Sequence, residues 1–330
     1  MAEADAIRFP LVVLTRTGVS GDRYAYVPRG PAGDFGEENR GSGLEAIAEA
    51  LRDWLPADTL CVRFDTGFPS AYIGHDYWND KGQWRGAPRA EIREMRMNTG
   101  TSHGLLRKAP LDHLSPDTVI IDLDCDDRTL LGRMRQTTRN CVRRSLRSDL
   151  EFRRGGIELL DSWHRLYADT AERKHFYGEG KPYFERLFRC AAEHDEAIQA
   201  AQGAETGQQP KGPEFQIFTA WIDGTLVAGA LTGISGRSAY YLYAGSSAAY
   251  REYMANYGLQ WHIMDYARSR GCLNYDLMGV PPNGDPNHSM YGLYTFKTGL
   301  GGHIVHYAGC WDYPYDVCGY SRLRNAENLG

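Results

Sequence analysis

The sequence predicts an α/β protein built from two domains, and three observations support this. The chain has 330 residues, which is long for a single hydrophobic core. Segments typical of strands alternate with segments whose apolar residues recur at helical spacing. A strand–helix–strand pattern in the first half of the chain returns in the second half.

The chain is predicted to begin with two strands, "FPLVVLTRTG" and "RYAYVPRGP", joined by a turn around Ser20, Gly21 and Asp22. The apolar spacing of "LEAIAEALRDWL" predicts a helix over 44–55. "LCVRFDTG" then predicts a buried strand over 60–67.

The segment 68–117 is rich in turn formers and is predicted to be irregular. "TVIIDLD" predicts a strand over 118–124. One long helix is predicted over 127–147, because the carboxylates of "DCDD" suit a helix N-terminus. Two further helices are predicted over 161–175 and 182–194.

The segment 201–214 has few apolar residues and is predicted to be a mobile connection. Three strands follow, "FQIFTAWI", "TLVAGALTGIS" and "SAYYLYAGS", with hairpin corners at Asp223-Gly224 and Gly236-Arg237. A helix over 255–270 and the strand "LNYDLMG" over 273–279 complete this half.

A sequence pattern that occurs twice in the chain, here called the internal echo, indicates the type of domain. "AYVPRGP", a helix and "LCVRFDTG" are similar to "YLYAGSS", a helix and "LNYDLMGV". Strands, a glycine-containing turn, a helix and a strand follow one another in this order in an acetyltransferase-like (GNAT) domain. We therefore predict two tandem GNAT-like domains, the first formed by 1–152 plus 311–330 and the second by 153–310.

Composition narrows the class of protein. The formal charge of −5 excludes a generally basic nucleic-acid binder but allows a local basic patch. Seven cysteines without a CxxC pair indicate reduced thiols rather than a disulfide framework or a zinc module. The start of the chain has too short an apolar run for a signal peptide, and no stretch approaches the roughly 20 apolar residues of a membrane helix. We expect a cytoplasmic protein.

The stretch "REYMAN" (251–256) stands where a GNAT acetyltransferase has [RQ]-x-x-G-x-[GA]. In that motif, backbone N–H groups hold a pyrophosphate. Met254 and Asn256 replace the glycines, and a methionine side chain would obstruct a diphosphate. The sequence thus predicts a GNAT-like fold that does not use acetyl-CoA as a cofactor.

The stretch "RMRQTTRNCVRRSLRSDLEFRR" (133–154) contains eight arginines and two acids. At helical spacing Arg139, Arg143 and Arg147 share one face, whereas Arg133 and Arg144 lie elsewhere. One interpretation is a solvated surface helix balanced by acids from other segments. The other is a face that contacts phosphates of RNA or of a diphosphate ligand, because arginine binds phosphate oxygens in a bidentate manner.

The stretch "YGLYTFKTGLGG" (291–302) places Lys297 before Gly299, Gly301 and Gly302. A Walker loop needs its glycines before the lysine and a helix after it. Apolar spacing over 290–297 instead predicts a short helix that ends at these glycines. By itself, this pattern indicates a solvated lysine at a helix end.

Other candidate residues have ordinary structural interpretations. Asp65 resembles a turn cap at a strand end, and Tyr243 resembles a core tyrosine whose hydroxyl needs a partner. His303 and His306 lie on a predicted strand with side chains on opposite faces, so we expect no metal site.

Six segments together resemble the FemABX aminoacyltransferases, in the order that this family has. The resemblance begins at about residue 10 and covers most of the chain. The segments are "VPRGP", "VRFD", "RQTTRNCVRRSLRSDLEFR", "YLYAGSS", "YREYMANYGLQWHIMDYARSRGCLNYDLMG" and "HSMYGLYTFKTGLGGHIVHYAGCWDYP".

The resemblance implies two GNAT-like domains and an acyl transfer without a cofactor. Members of the family take an amino acid from aminoacyl-tRNA and add it to the stem peptide of a peptidoglycan precursor, either UDP-MurNAc-pentapeptide or lipid II. An amine that attacks an aminoacyl ester needs positioning, loss of a proton and stabilisation of an oxyanion, but no protein nucleophile.

The resemblance also implies roles for individual residues. Lys297 matches the lysine that faces the reacting centre, with Phe296 beside it, and would stabilise the oxyanion. Asp65 would orient or deprotonate the acceptor amine, and Tyr243 would lie in the same cleft. Substrate contacts are implied for Arg29, Arg63 and Lys181. Contacts with tRNA or another phosphate are implied for Arg139, Arg143 and Arg147.

This chain departs from the family pattern at the phosphate contacts. From the resemblance we expect no counterpart of the N-terminal family segment whose lysine holds the nucleotide diphosphate. A second phosphate-binding arginine of the family aligns with Glu179, which leaves Lys181 as the nearest cation. These differences favour a lipid-linked or unrelated acceptor. We also expect the coiled-coil arm of the longer members to be absent, which would place the chain nearer the short branch that adds one residue.

Three hypotheses follow. The first is an aminoacyl-tRNA-dependent transferase that modifies a cell-wall precursor as a cytoplasmic monomer, with peripheral binding at the inner membrane as an option. The second keeps the fold and the donor but changes the acceptor to a peptide natural product or a protein N-terminus. The third is a non-catalytic GNAT-like module that binds RNA or a ligand.

Overall fold

The computed structural model describes residues 10–19, 21–33, 35–80, 82–202 and 212–329. The strands are β1 (Leu14–Thr17), β2 (Arg23–Val27), β3 (Thr59–Pro69), β4 (Arg107–Lys108), β5 (Asp117–Asp122), β6 (Glu151–Gly155), β7 (Glu214–Ile222), β8 (Thr225–Ser235), β9 (Ser238–Ser246), β10 (Asn274–Gly279) and β11 (His303–Pro314). The α-helices are α1 (Arg40–Leu51), α2 (Ala90–Met97), α3 (Asp127–Arg133), α4 (Gln136–Leu146), α5 (Leu160–Lys174), α6 (Lys181–Gln202), α7 (Ala255–Ser269), α8 (Tyr291–Gly299) and α9 (Val317–Leu329).

The chain divides into two compact units. The first contains the residues up to Asp117, Pro281–Asp285 and those from Val305 onward, and the second contains Thr118–Val280 and Pro286–Ile304. The sequence-based division placed 118–152 in the first domain. These residues belong to the second unit because Val119, Leu130 and Val142 are buried in the same core as residues of α7.

In the first unit the strand order is β1-β2-β3-β11, with β4 paired to β11. The pair β2/β3 is parallel and the others are antiparallel. The strand β2 has an almost continuous buried pattern, as expected for a strand with both faces covered. Its Ala25 and Val27 pack with Leu44 of α1, and α9 covers the opposite side chains through Tyr320.

In the second unit the order is β5-β10-β9-β8-β7-β6. The pair β9/β10 is parallel, and the neighbouring pairs are antiparallel. The predicted hairpin corners are confirmed, since Asp223, Gly224 and Gly236 all have positive φ between β7, β8 and β9. The main core lies between this sheet and the helices α3, α4 and α7.

The internal echo is confirmed as a repeated β-α-β unit. In the first unit α1 connects the parallel strands β2 and β3, and in the second α7 connects the parallel strands β9 and β10. A parallel pair needs such a crossover, which explains why each copy requires its helix.

The single helix predicted over 127–147 was wrong, because the chain forms α3 and α4 with a break at Met134 and Arg135. Both residues have extended ψ angles of about 147°. The Arg135 N–H donates to the carbonyl of Gly299 at 2.9 Å, and its guanidinium donates to Thr298. A tertiary contact therefore replaces the helical hydrogen bond. The expected N-terminal signal is confirmed, since the Asp126 carboxylate caps the backbone N–H of Thr129.

Four other regions differ from the sequence-based prediction. The segment 68–117 contains the helix α2 and the short strand β4. The strand β6 and the C-terminal helix α9 were not predicted. The helix α6 continues to Gln202, and residues 203–211 of the predicted connection lie outside the described residues.

The glycines after Lys297 end α8 and lead into β11, as predicted. They also allow close packing: a Cβ atom on Gly301 would lie 2.8 Å from the backbone carbon of Arg133, and Gly301 has φ +92°. A Cβ on Gly302 would lie 2.6 Å from the carbonyl oxygen of Ile120. Here glycine is required by backbone conformation and by proximity.

We expect Gly301→Ala to destabilise the protein by about 1–3 kcal/mol, because alanine combines a left-handed φ with a backbone clash. Urea denaturation measures this. Gly292→Ala is the matched control, since a Cβ on Gly292 within α8 meets nothing within 4 Å, and we expect it to stabilise by about 0.5–1 kcal/mol. Equal effects of the two substitutions would contradict the packing argument.

In the part of the chain that the structure describes, no helix combines the length and the apolar composition that crossing a bilayer requires. All seven cysteines are free thiols. Three are buried (Cys61, Cys272 and Cys310), whereas Cys190 and Cys318 are exposed.

Candidate functional site

Lys297 is a buried cation in the second unit. It lies on α8, near the C-terminal end of that helix, and is only 5% exposed. Its Nζ donates hydrogen bonds to the carbonyls of Met278 at 3.3 Å and Gly279 at 2.6 Å. Burial lowers the pKa of Lys297 to about 8, and the nearby Asp276 carboxylate acts in the opposite direction. The interpretation of Lys297 as a solvated lysine is therefore wrong.

The carbonyl pair comes from an irregular end of β10. The register of β10 on β5 shifts between Asp276 and Gly279, and Met278 has φ +61°, which is a strained conformation for a non-glycine residue. The Asp276 carboxylate stabilises this bend, because its Oδ1 accepts the Met278 N–H at 2.7 Å and the hydroxyl of Thr118. Strain of this kind is concentrated at functional sites.

Sequence reasoning did not identify Asp276, Met278 or Gly279. For Asp276 a signal existed, since it is the single acid within the buried strand "LNYDLMG". No local signal marks Met278, because its conformation depends on the register of β10 against β5.

The arrangement suits stabilisation of a developing negative charge. An ammonium group has three N–H donors, and among the contacts described for Lys297 two are used by the carbonyls. The third can donate to a substrate oxygen. A preorganised cation in a site of low polarity interacts more strongly with an oxyanion than the same cation in water.

The other predicted residues of the second unit lie in different surroundings. Phe296 packs edge-on against Tyr257, with ring centroids 5.1 Å apart. Tyr243 donates to the Tyr183 hydroxyl at 3.3 Å and lies among the aromatic rings of α5 and α6, where burial raises its pKa. The contacts of Tyr243 are thus with α5 and α6, whereas those of Lys297 are with the end of β10.

Lys181 is partly exposed at the start of α6 and forms ion pairs with Asp161 at 2.5 Å and Glu185 at 3.3 Å. The hydrogen bond from Lys181 lowers the pKa of Asp161. Two acids therefore already balance the cation that was expected to replace a phosphate-binding arginine.

Asp65 is buried on β3 in the first unit, with 1% of its surface exposed. Its Oδ2 accepts the Tyr26 hydroxyl and the Leu114 N–H, both at 2.9 Å. Its Oδ1 is buried and has no hydrogen-bond partner among the described residues. The arrangement is more than a turn cap, because a buried carboxylate oxygen is seldom left unpaired.

The substrate-binding role expected for Arg63 does not agree with its surroundings. The side chain is completely buried, and the guanidinium forms paired hydrogen bonds with both Asp312 and Glu327 at 2.7–2.8 Å. All of its charge is compensated inside the fold. Arg63 is therefore a structural centre of the first unit.

Arg29 packs within the first unit as well. Its guanidinium lies 4.4 Å from the ring centroid of Tyr307 and donates to the carbonyl of Ser115 at 3.3 Å. Its Nη1 is buried without a partner among the described residues. The backbone of Arg29 has φ +44°, so the residue is held in a strained turn.

The arginine-rich segment is divided by the structure. Arg139 donates to the carbonyls of Leu131 and Gly132 and so caps the end of α3. The exposed Arg143 and Arg147 share a shallow surface depression with Arg144, which sequence spacing had assigned to another face. The exposed basic surface at the C-terminal end of α4 thus consists of Arg143, Arg144 and Arg147, the last of which directly follows the helix.

Three proteins of similar sequence share one name, lipid II:glycine glycyltransferase. The lipid II:glycine glycyltransferase of Staphylococcus epidermidis is 25% identical over 333 residues, which cover 87% of this chain and 76% of that protein. The corresponding protein of Staphylococcus saprophyticus is 25% identical over 260 residues, which cover 66% of this chain and 63% of that protein. The protein of Staphylococcus aureus is 26% identical over 251 residues, which cover 61% and 60%. The match thus spans less than two thirds of the last two relatives.

Among solved structures, the crystal structure of FemX superimposes with a TM-score of 0.71 at 18% identity, covering 94% of this chain and 86% of FemX. This similarity, together with the repeated β-α-β unit, confirms the predicted α/β class with two GNAT-like domains. The model of the FemAB family matches residues 4–201 and 214–328. The chain therefore belongs to the FemAB family.

Proposed function

We propose that this protein is an aminoacyltransferase that moves an amino acid from aminoacyl-tRNA to an amine on the stem peptide of a peptidoglycan precursor. Its membership of the FemAB family and its similarity to lipid II:glycine glycyltransferases support this proposal. The observation that carries the chemistry is Lys297, a buried cation held by two backbone carbonyls at a strained strand end.

In the proposed reaction the acceptor amine attacks the carbonyl carbon of the aminoacyl ester. A C–N bond forms, and the electron pair of the carbonyl moves to oxygen, where the third N–H of Lys297 stabilises the oxyanion. The tetrahedral intermediate then collapses, the C–O bond to the tRNA ribose breaks, and the ribose hydroxyl leaves with a proton lost by the amine. The chain supplies positioning and charge stabilisation, so acetyl-CoA or another cofactor has no role in the proposal.

Asp65 remains the proposed acceptor-orienting residue, through the Oδ1 atom that lacks a partner among the described residues. A positively charged or neutral amine could donate to this oxygen. Burial of Asp65 implies that substrate binding must expose this atom. Tyr243 is proposed to contact the substrate through the aromatic surface that it shares with Tyr183.

Lipid II is the acceptor that we favour. The cation available for a nucleotide diphosphate, Lys181, is already paired with Asp161 and Glu185, and the similar glycyltransferases are named for lipid II. We accordingly propose a cytoplasmic monomer that reaches its acceptor at the inner face of the membrane.

The proposal is tested by incubating the protein with charged tRNA and either lipid II or UDP-MurNAc-pentapeptide, followed by mass spectrometry. We expect lipid II to gain the mass of one amino-acid residue. Absence of a mass gain on both precursors would contradict the proposed acceptor. A gain only on a peptide or protein N-terminus would establish the alternative acceptor, and tRNA binding without transfer would indicate a non-catalytic module.

We expect the double substitution Arg143→Glu and Arg147→Glu to weaken tRNA binding by at least about tenfold at low salt, because both arginines are exposed at the C-terminal end of α4 and phosphate contacts dominate RNA affinity. Filter binding at several salt concentrations measures this loss and a reduced salt dependence. The control is Arg322→Glu, an exposed arginine on α9. The control changes the net charge by half as much, so half the loss in binding free energy in the control would show that only total charge matters.

A further inference from the structure

Asp276 lies where the regular pairing of β10 ends. It is the last residue of β10 that pairs with β9, opposite Tyr240, and the last before the register of β10 on β5 shifts. Only 8% of the residue is exposed. An acid is seldom buried unless its charge is compensated or used, so the position of this carboxylate at the end of the ladder requires an explanation.

Two donors hold one oxygen of this carboxylate. Asp276 Oδ1 accepts the Met278 N–H at 2.7 Å and the hydroxyl of Thr118 on β5. The first hydrogen bond fixes Met278 at φ +61°, and the carbonyls of Met278 and Gly279 accept hydrogen bonds from Lys297 Nζ. The Thr118 hydroxyl ties the carboxylate to the neighbouring strand. One side chain therefore determines where both carbonyls lie.

The charge of Asp276 also acts on Lys297. Burial lowers the pKa of Lys297 and is the larger influence, whereas the Asp276 carboxylate raises it. In the described part of the chain, the hydrogen bonds of the ammonium group go to carbonyls. The carboxylate thus favours the charged lysine without occupying one of its N–H donors, and a donor remains for a substrate oxygen.

The other titratable groups that contact α8 reach the neighbours of Lys297. Arg135 donates to the Thr298 hydroxyl at 2.9 Å and is exposed, so water screens its charge. Tyr257 of α7 packs against the ring of Phe296, and burial raises the pKa of its phenol, which stays neutral at physiological pH. The carboxylate on β10 combines a charge that acts on the ammonium group with hydrogen bonds that place its carbonyls.

We propose that Asp276 is a positioning residue for aminoacyl transfer: it fixes the strand end whose two carbonyls hold Lys297, and its negative charge keeps the ammonium group protonated at a higher pH than burial alone would allow. This inference rests on the proposed function, in which Lys297 stabilises the oxyanion. Asp276 itself forms and breaks no bond in the reaction.

The direct test is NMR of the full chain with its lysines labelled at Cε, recorded between about pH 6 and about pH 10. The sequence contains six lysines, and Lys297→Met identifies the resonance of Lys297. We expect it to titrate near pH 8 in the wild type. In Asp276→Asn it should titrate about one unit lower, the smaller end of the effect of a neighbouring opposite charge. Asparagine retains an oxygen that accepts the Met278 N–H, so the substitution removes the charge and keeps the bend.

Asp122→Asn is the matched control, because it removes the same charge from β5 at a side chain that is 60% exposed. It should leave the titration of Lys297 within about 0.2 unit of the wild type, since water screens an exposed charge. If Asp276→Asn folds poorly, both proteins are compared in a Met278→Gly background, where glycine adopts φ +61° without strain. The same decrease of about one unit is expected there.

The second measurement is the pH profile of kcat/KM for transfer from charged tRNA to lipid II. The decline expected above about pH 8 should begin about one unit lower in Asp276→Asn, and the values near pH 6 should stay within about threefold of the wild type. A loss by the same factor at every pH would show that Asp276 acts only in folding and would overturn the proposal.

The NMR result separates this inference from the proposed function. A Lys297 titration that Asp276→Asn leaves unchanged, or that Asp122→Asn lowers by as much, would overturn the inference. The expected shift in a protein that transfers no amino acid to either precursor would contradict the proposed function alone. Transfer that depends on Lys297, together with an unshifted titration in Asp276→Asn, would contradict this inference alone.

Discussion

Lys297→Met is expected to lower kcat/KM for aminoacyl transfer by about 100- to 1,000-fold, the usual loss when one preorganised oxyanion donor is removed. The methionine side chain has a similar length and fits an apolar environment, so the substitution removes the cation and retains most of the packing. The measurement is the rate of transfer from charged tRNA to lipid II. Less than about a threefold loss would eliminate the proposed role of Lys297.

The stability of the Lys297→Met variant distinguishes a catalytic role of Lys297 from a structural role. The pKa of Lys297 is lowered by burial from 10.5 to about 8, so the folded state holds its proton less tightly than the unfolded state. Between about pH 8 and 10.5 the unfolded chain binds more protons at this residue than the folded chain does. The contribution of Lys297 to the free energy of unfolding therefore rises with pH in that window. Below pH 8 the full penalty of the buried charge is present.

We consequently expect Lys297→Met to be at least as stable as the wild type at pH 7 and to lack the rise in stability above pH 8. Urea denaturation at several pH values measures both. For the active protein, kcat/KM should decline above about pH 8 as Lys297 loses its proton. A variant that was inactive and also strongly destabilised at pH 7 would show that Lys297 acts mainly in folding.

Arg63→Met is expected to destabilise the protein by about 3–5 kcal/mol, the range for removing one partner of a buried ion pair. The substitution would leave the carboxylates of Asp312 and Glu327 with side-chain exposures of 0% and 6% and without their cation. The Tyr320 hydroxyl, which donates to Asp312 at 3.0 Å, compensates only part of one charge. Urea denaturation at pH 7 measures the loss.

Arg153→Met is the matched control, because Arg153 forms a 2.7 Å ion pair with Glu151 on the surface, with side-chain exposures of 51% and 68%. Exposed pairs contribute at most about 1 kcal/mol. If all three charged groups are replaced together (Arg63→Met, Asp312→Leu and Glu327→Met), most of the lost stability should return, since no unpaired charge remains. Similar losses for Arg63→Met and the control would contradict the structural role of Arg63.

Candidate residues could be located from the sequence more reliably than their roles could be assigned. Lys297 was found through its motif, but the pattern of charges and glycines indicated a solvated lysine. Its burial depends on the bend at Met278, which places two carbonyls around the ammonium group. The family resemblance implied a substrate contact for Arg63. Its true partners, Asp312 and Glu327, lie about 250 residues further along the chain, beyond the reach of local reasoning.

The sequence by itself determined the α/β class, the hairpin corners and the repeated β-α-β unit. These features depend on hydrophobic periodicity and on turn-forming residues within short segments. Each can therefore be predicted from residues that are close together in the sequence. Only the tertiary structure decided the break between α3 and α4, the lowered pKa of Lys297 and the buried Asp65 Oδ1, which lacks a hydrogen-bond partner among the described residues. Each of these depends on burial or on a hydrogen bond between residues distant in sequence, and burial sets the energy of a charge or a donor only once the fold has formed.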